Sequence, residues 1–394
     1  MIQNIKAPFI RQIQAATIAL FVLSSCSKNQ TSNEPVVKGK DKPQTELAGT
    51  ISLLNGARFY GVYSSGSSTG QWTSCTDPNV APVGAAVKLN GFTYLRKLTA
   101  TEKTQIGSTV TLNLKLYAQY DGWDRTFEVA VLNTPLNTSK DSLPSLLDQR
   151  AKVGWIMTPY FLKSQTPNTI NYNSYDLSAL AQQLRRTDQD TWVYVTIGAN
   201  VDYGEPTAAG LSFCDNIGFQ LDASLVTSGS TADNPTQFAR SVINASNTTN
   251  GIFTATVTLP KAVTNGMLTI FTTGHGNEEG RSRINVVSVD NVQKTSVSTR
   301  IFCTPASYYD GINPNGAKGP YSTWRYPVRN WCQGGALSPI MVNVGNLSAG
   351  AHTFKFDLSK LEYQVSGISP VLSNSVQPIS GSVNYAAYLT GTSN

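Results

Sequence analysis

Apolar residues recur at every second position along much of this chain. In Val110-Thr111-Leu112-Asn113-Leu114-Lys115-Leu116 the valine and leucines fall on one side and the polar residues on the other. Phe127, Val129 and Val131 repeat the pattern, as do Phe253, Ala255, Val257 and Leu259 between threonines, and Phe354, Phe356 and Leu358. A period of two suits strands with one face on a core and one on solvent, the pattern of antiparallel sheets. Asn55-Gly56, Asn90-Gly91, Asn250-Gly251 and Asn265-Gly266 supply turn signals between such runs. One helix is expected: Leu177, Leu180 and Leu184 share a face, Asp176 can cap its start, and Arg185-Arg186 suit its end. The fold class is therefore all-β. A cluster of Ser, Gly, Thr, Asn and Pro from Thr227 to Pro235 divides the chain into residues 49–228 and 229–394, each the size of a β-sandwich.

The first 25 residues read as a signal peptide. Lys6 and Arg11 precede a short apolar run from Ala15 to Leu23, too short to span a bilayer, and Leu23-Ser24-Ser25-Cys26 closes it. That closing sequence resembles a bacterial lipobox, which implies cleavage before Cys26 and lipidation of its thiol. Loss of Lys6 and Arg11 with the leader lowers the formal net charge from +6 to +4. Residues 26–48 are then a polar, lipidated tether with an end-to-end distance of about 25 Å as a flexible coil. The expected location is the outer membrane of a bacterium, on its periplasmic or cell-surface face. The four remaining cysteines, Cys75, Cys214, Cys303 and Cys332, are an even set suited to disulfides in an exported chain. Cys303–Cys332 is the local pairing and Cys75–Cys214 its long-range companion, with other connectivities left open by the spacing.

Composition narrows the chemistry. Only two histidines are present, and no pair of closely spaced cysteines, so neither a His-rich metal site nor a paired CxxC zinc site can be built. No Gly-rich loop leads into Lys-Ser or Lys-Thr, and the basic residues are scattered, so neither a nucleotide cofactor nor a nucleic-acid partner is expected. No metal or cofactor is called for. Carboxylates beside arginines and aromatics remain. Trp123-Asp124-Arg125 follows the strand at 110–116: the indole offers a sugar-stacking surface, the guanidinium donates to hydroxyls, and the carboxylate can orient water. Gly274-His275-Gly276-Asn277-Glu278-Glu279-Gly280-Arg281-Ser282-Arg283 is a second charged segment. If it is extended from Glu279, then Glu279, Arg281 and Arg283 share one face, which is expected to meet solvent or a polar cleft because burying three charges would be costly. Trp324-Arg325-Tyr326-Pro327-Val328-Arg329-Asn330-Trp331-Cys332 is a third, aromatic and basic, beside a cysteine.

Taken in order, these pieces resemble the peptide-N-glycosidase F family of peptide-N4-(N-acetyl-β-glucosaminyl)asparagine amidases. The resemblance rests on Trp123-Asp124-Arg125, Ile156 with Thr158-Pro159-Tyr160, Gly274-His275 with Glu279 and Arg283, and Cys303 with Arg329-Asn330-Trp331-Cys332. It covers residues 109–360. It implies two side-by-side eight-stranded antiparallel jelly-roll sandwiches with a site between them. The implied reaction is metal-free hydrolysis of the amide joining a glycan to Asn, leaving Asp in the peptide. Asp124 and Glu279 then become the catalytic acids. Trp123, Arg125, His275, Arg281, Arg283, Arg329 and Trp331 become substrate-binding residues, and N-glycosylated proteins or peptides the partners of a monomer. A further family acid, on the strand after the helix, aligns with Ile197, with Asp202 or Glu205 following in the next loop. Loss of that acid makes a non-catalytic glycan-binding surface lipoprotein the alternative reading.

Growth with labelled palmitate is expected to mark the chain, and Cys26→Ala to abolish the label. Label retained in that variant would remove the lipid tether.

Overall fold

The computed structural model describes residues 49–60, 85–119, 121, 125–159, 163, 168–198, 217–301, 330–332, 334–366 and 369–393. The chain divides into two units, Met1–Pro43 and Gln44–Asn394, and every described residue belongs to the second.

The alternating runs become strands. The first half contains β1 (Gly49–Tyr60), β2 (Ala86–Asn90), β3 (Thr93–Lys97), β4 (Thr109–Ala118), β5 (Thr126–Pro135), β6 (Ala151–Met157), β7 (Thr169–Asp176), β8 (Gln189–Ile197) and β9 (Ile217–Ser228). They form one sheet in the order β1-β9-β4-β7 and another in the order β2-β3-β8-β5-β6. The second half contains β10 (Gln237–Asn247), β11 (Ile252–Leu259), β12 (Val263–His275), β13 (Arg281–Val289), β14 (Val292–Ser298), β15 (Ile340–Leu347), β16 (Gly350–Asp357), β17 (Lys360–Ser366), β18 (Ser369–Val376) and β19 (Ser382–Ser393). Its sheets run β10-β19-β12-β15 and β11-β16-β13-β17-β18, with β14 also paired to β13. All pairings are antiparallel.

Within each half the first and last strands lie side by side in one sheet, β1 beside β9 and β10 beside β19. Eight strands per half do not suffice, however. The described residues form nine strands in the first half, because β2 extends the edge of β3, and ten in the second, because the β17–β18 hairpin is added. Two of the four Asn-Gly pairs also act otherwise than as hairpin turns. Asn55-Gly56 lies inside β1 and Asn265-Gly266 inside β12, each at a register shift where the strand bulges.

The expected helix appears as a 3-10 turn at Ser178–Leu180 leading into α2 (Ala181–Arg185), with the Asp176 carboxylate accepting from Ser178 N at 2.9 Å. Leu177, Leu180 and Leu184 are buried on it. A further short helix, α1 (Ala100–Gln105), is started by a capping box between Thr99 and Glu102.

Strand β5 explains how the first half is layered. Phe127, Val129 and Val131 point into the main core, while Ala130 and Leu132 belong to a smaller cluster on the outer side with Leu95, Leu143, Trp192 and Tyr194. A 3-10 segment, Lys140–Gln149, supplies Leu143 to that outer cluster. Both faces of β5 are therefore dry, and its apolar run is nearly continuous. The main core also crosses into the second half, taking in Phe271, Trp331, Leu337, Ala386 and Tyr388, so the two sandwiches share buried surface. The rest of the second half packs around Phe253, Phe354, Phe356 and Tyr385.

Phe356 is fully buried and tilts against Tyr385 with ring centroids 4.8 Å apart. Phe356→Ala should lower unfolding free energy by about 3–5 kcal/mol in denaturant titration. Val371→Ala, on the exposed β18, should change it by no more than about 0.5 kcal/mol.

Candidate functional site

Two strand ends carry the motifs. In the first half, Arg125 enters β5 under tight backbone control. Its N–H donates to Thr158 Oγ1 at 2.6 Å and its carbonyl accepts from Thr158 N at 2.8 Å, which locks it to the residue after β6. Its guanidinium forks onto Asp121, Nε to Oδ2 at 2.7 Å and Nη2 to Oδ1 at 3.0 Å. Asp121 is wholly buried while Arg125 keeps partial exposure, so the carboxylate acts as an internal anchor that aims the guanidinium. Asp121 is not among the residues singled out from the sequence; its spacing of four residues from Arg125 was the signal available. Trp123 and Asp124 lie outside the described residues, directly before this fixed point.

In the second half, β12 delivers His275. The preceding Gly274 is boxed in: its N–H donates to Asn330 Oδ1 at 3.0 Å and its carbonyl accepts from Trp331 Nε1 at 2.8 Å. A Cβ there would sit 2.8 Å from both Asn330 Nδ2 and Glu278 Cβ, so no larger residue fits without displacement. Gly381 closes the other side with φ +137°, where a Cβ would meet the His275 carbonyl at 2.2 Å. His275 Nε2 shares a hydrogen bond with Thr273 Oγ1 at 2.9 Å, and its ring stacks on Trp331 at 6.4 Å. Burial, and then the charge of Lys152 from the other half, push its pKa down, so the imidazole is neutral at pH 7.

A 3-10 turn, Gly276–Glu278, follows, and it separates two adjacent acids. Glu278 points inward. Arg283 meets both of its oxygens, Nε to Oε2 at 2.8 Å and Nη2 to Oε1 at 2.9 Å; Arg281 Nη1 and Ser380 N also donate to Oε1. Glu279, in a helical conformation, is half-buried, and its Oε1 accepts from Gly276 N at 3.3 Å.

Three expectations need correction. Glu279, Arg281 and Arg283 do not share an exposed face, because Glu279 belongs to the turn and the β13–β17 register shifts between Ser282 and Arg283. Arg283 is 2% exposed and donates to the carbonyls of Leu358, Ser359, Gln377 and Pro378 as well as to Glu278. It is a structural arginine, and its charge is tolerated inside because every donor direction is used. Trp331, at 1% exposure, is core rather than contact surface. Ile197, the position aligned with the further family acid, is fully buried in the main core and paired with Phe127. Arg281, partly exposed, remains at the rim beside Glu278.

The segment after Asn330 joins the two strand ends. Trp331 holds Gly274; then Met157 N donates to Gly335 O at 3.2 Å, Ala336 bridges Ile156, and Leu337 N donates to Trp155 O at 2.8 Å. Residues 330–337 thereby tie the end of β6, next to Arg125, to the end of β12, next to Glu279. Cys332, inside this segment, is disulfide-bonded to a partner outside the described residues. Cys26, Cys75, Asp202, Glu205, Cys214, Cys303 and Arg329 also lie outside them.

Behind the junction sits a charged cluster that the sequence did not suggest. Glu128 accepts from Arg150 Nε and from Lys152 Nζ at 2.9 Å, and Lys152 Nζ lies 3.3 Å from the centre of the Trp155 ring. Burial lowers the Lys152 pKa to about 8 in spite of Glu128. The same burial would raise Glu128, but Lys152 and Arg150 hold it below its ordinary value. With both oxygens taken, Glu128 is a support and not a spare acid.

The two neighbouring acids can be told apart by stability. Burial alone would raise Glu278, yet Arg283, the Ser380 N–H and Arg281 hold it below the ordinary glutamate value of about 4.5. A depressed folded-state pKa stabilises above pH about 4.5, and that stability is lost as pH falls through the folded-state value. Glu278→Gln leaves Arg283 buried without a counter-charge and should cost about 3–5 kcal/mol at pH 7. Glu279→Gln retains an acceptor for Gly276 N and should cost less than about 1 kcal/mol. Equal losses in thermal melts would contradict the assignment.

Residues 243–376 match the family model described as Peptide-N-glycosidase F, C terminal. Two solved structures of PNGF-II, in C2 and P21 space groups, are similar across the whole fold. Each is 18% identical with a TM-score of 0.60 and aligns with 88% of this chain. The chain spans 65% and 66% of those two structures, a little under two thirds of their length. No curated protein matches it. At 18% identity the likeness to PNGF-II speaks for the fold alone. The domain match makes residues 243–376 similar to the C-terminal domain of peptide-N-glycosidase F.

Proposed function

We propose that the chain is an amidohydrolase that releases N-linked glycans from glycoproteins or glycopeptides, converting the linkage Asn to Asp. The observation that carries this reading is the junction at residues 330–337. It draws the strand end beginning at Arg125 and the strand end carrying Glu279 to one place between the halves. The domain match covers Gly274, His275 and Glu279.

An amide carbonyl is a weak electrophile, so water has to be oriented by a base while donors hold the oxyanion that forms. Asp124, directly before Arg125, is assigned to the water. Arg125, aimed by Asp121, is assigned to the sugar hydroxyls or the carbonyl oxygen. Glu279, left outside the Glu278–Arg283 pair, is assigned to the glycosylamine side, where it can hold the amide nitrogen and assist its departure. His275 is neutral and can donate or accept a hydrogen bond without adding charge. Trp123, Arg281 and Arg329 are assigned to the glycan. The leader and Cys26 support an exported, lipid-anchored chain at the outer membrane, and the chain is assigned as a monomer.

A second reading has its own support. The family acid aligned with Ile197 has no counterpart there, since Ile197 is core. A glycan-binding surface lipoprotein would keep the same junction without turnover.

The test is incubation with a denatured glycoprotein, followed by mass spectrometry of the released glycan and of the peptide. Release with Asn-to-Asp conversion is expected. Asp124→Asn and Glu279→Gln should each reduce kcat by about 10²-fold or more. Glycan binding without release would favour the second reading, and an Asp124→Asn chain as active as wild type would remove Asp124 from the site.

A further inference from the structure

A second cleft, of about 770 Å³, opens between the halves at the end away from the candidate site. Ala151, at the start of β6, lines it, whereas Met157, six residues along the same strand, reaches Gly335 at the junction. The two regions are therefore about 20 Å apart. One wall comes from β5, β8, α2 and the 3-10 segment at Lys140–Gln149, the other from β10 and β11.

The walls are fixed to each other. Gln237 Nε2 donates to Ser178 O at 2.9 Å and its Oε1 accepts from Gln182 N at 2.7 Å. Asn244 Nδ2 donates to the carbonyls of Asp148 and Arg150 at 3.1 and 2.8 Å. The cleft is thus pre-formed. Its cations are also engaged: Arg186 forks onto Asp188 at 3.0 and 2.6 Å, and Arg240 Nη1 donates to Thr258 O at 2.6 Å. Asp148 adds a carboxylate at the rim.

The side-chain amides of Gln149, Gln183 and Gln189 form no hydrogen bond among the described residues. Each offers a donor and an acceptor. An apolar ligand would leave them desolvated and unpaired. They sit on three different elements, Gln149 on the 3-10 segment, Gln183 on α2 and Gln189 on β8. Phe238, half-buried in the facing wall, adds one aromatic surface. Dispersed amides suit hydroxyl pairs that both donate and accept, and a single ring suits the C–H face of a sugar. We infer that this cleft is a second binding site, separate from the candidate active site, for a neutral oligosaccharide.

The test uses the full chain carrying Asp124→Asn and Glu279→Gln, so that binding is measured without hydrolysis and stands or falls independently of the proposed activity. Calorimetric titration with a free neutral N-glycan core, a neutral glucose hexasaccharide and an unglycosylated peptide of similar size should show saturable binding of at least one oligosaccharide. Adding Gln183→Leu with Gln189→Leu should weaken it about tenfold or more with unchanged thermal unfolding. Phe238→Ala should weaken it as well. No oligosaccharide binding, binding undiminished by the paired Gln substitutions, or occupancy by the peptide alone would overturn the inference.

Discussion

The exposed edge of β6 is the constraint on which the arrangement of this molecule depends. A strand at the end of a five-stranded sheet presents unpaired N–H and C=O groups, and here every residue of that strand is buried. Buried backbone polar groups must be paired. The second half answers this with Gly335, Ala336 and Leu337, laid along Trp155 to Met157. The same segment starts from Trp331, whose indole hydrogen bond to Gly274 fixes the end of β12. Covering one edge thus sets the relative position of two strand ends, each followed or preceded by motif residues.

Around that junction buried acids hold basic partners in place. Glu278 with Arg283, Asp121 with Arg125, and Glu128 with Lys152 and Arg150 are pairs in which at least one partner is buried. In each, the acid is enclosed and saturated, and the geometry of a basic partner follows from it. Buried pairs of this kind contribute little net stability but are strongly destabilising to break, so they fix conformation more than they strengthen the fold. Glu279 stays apart from the Glu278–Arg283 pair because one turn of 3-10 helix rotates it away.

Much of the fold was legible. The alternation in Val110–Leu116, Phe253–Leu259 and Phe354–Leu358 marked β4, β11 and β16, and the leucine spacing at 177, 180 and 184 marked the helical segment. The family resemblance was likewise visible in short motifs. Less legible were positions at which a bulge or a turn resets the period. Asn55-Gly56 and Asn265-Gly266 carry a hairpin signature yet sit inside strands, and Glu279 was put on one face with Arg281 and Arg283 by counting twos through a 3-10 turn. Trp331 was read as a contact residue because a residue name does not reveal which side of a wall it is on.

By itself the sequence determined the all-β class of fold and pointed to carboxylates and arginines as candidate site residues. These follow from local periodicity and composition, which act over a few residues. Only the tertiary structure decided which of Glu278 and Glu279 is an internal counter-charge, that Arg283 and Trp331 are structural, and that β6 meets residues 335–337. Those depend on partners 5 to 182 positions away, and burial, not residue type, determines which charges are enclosed.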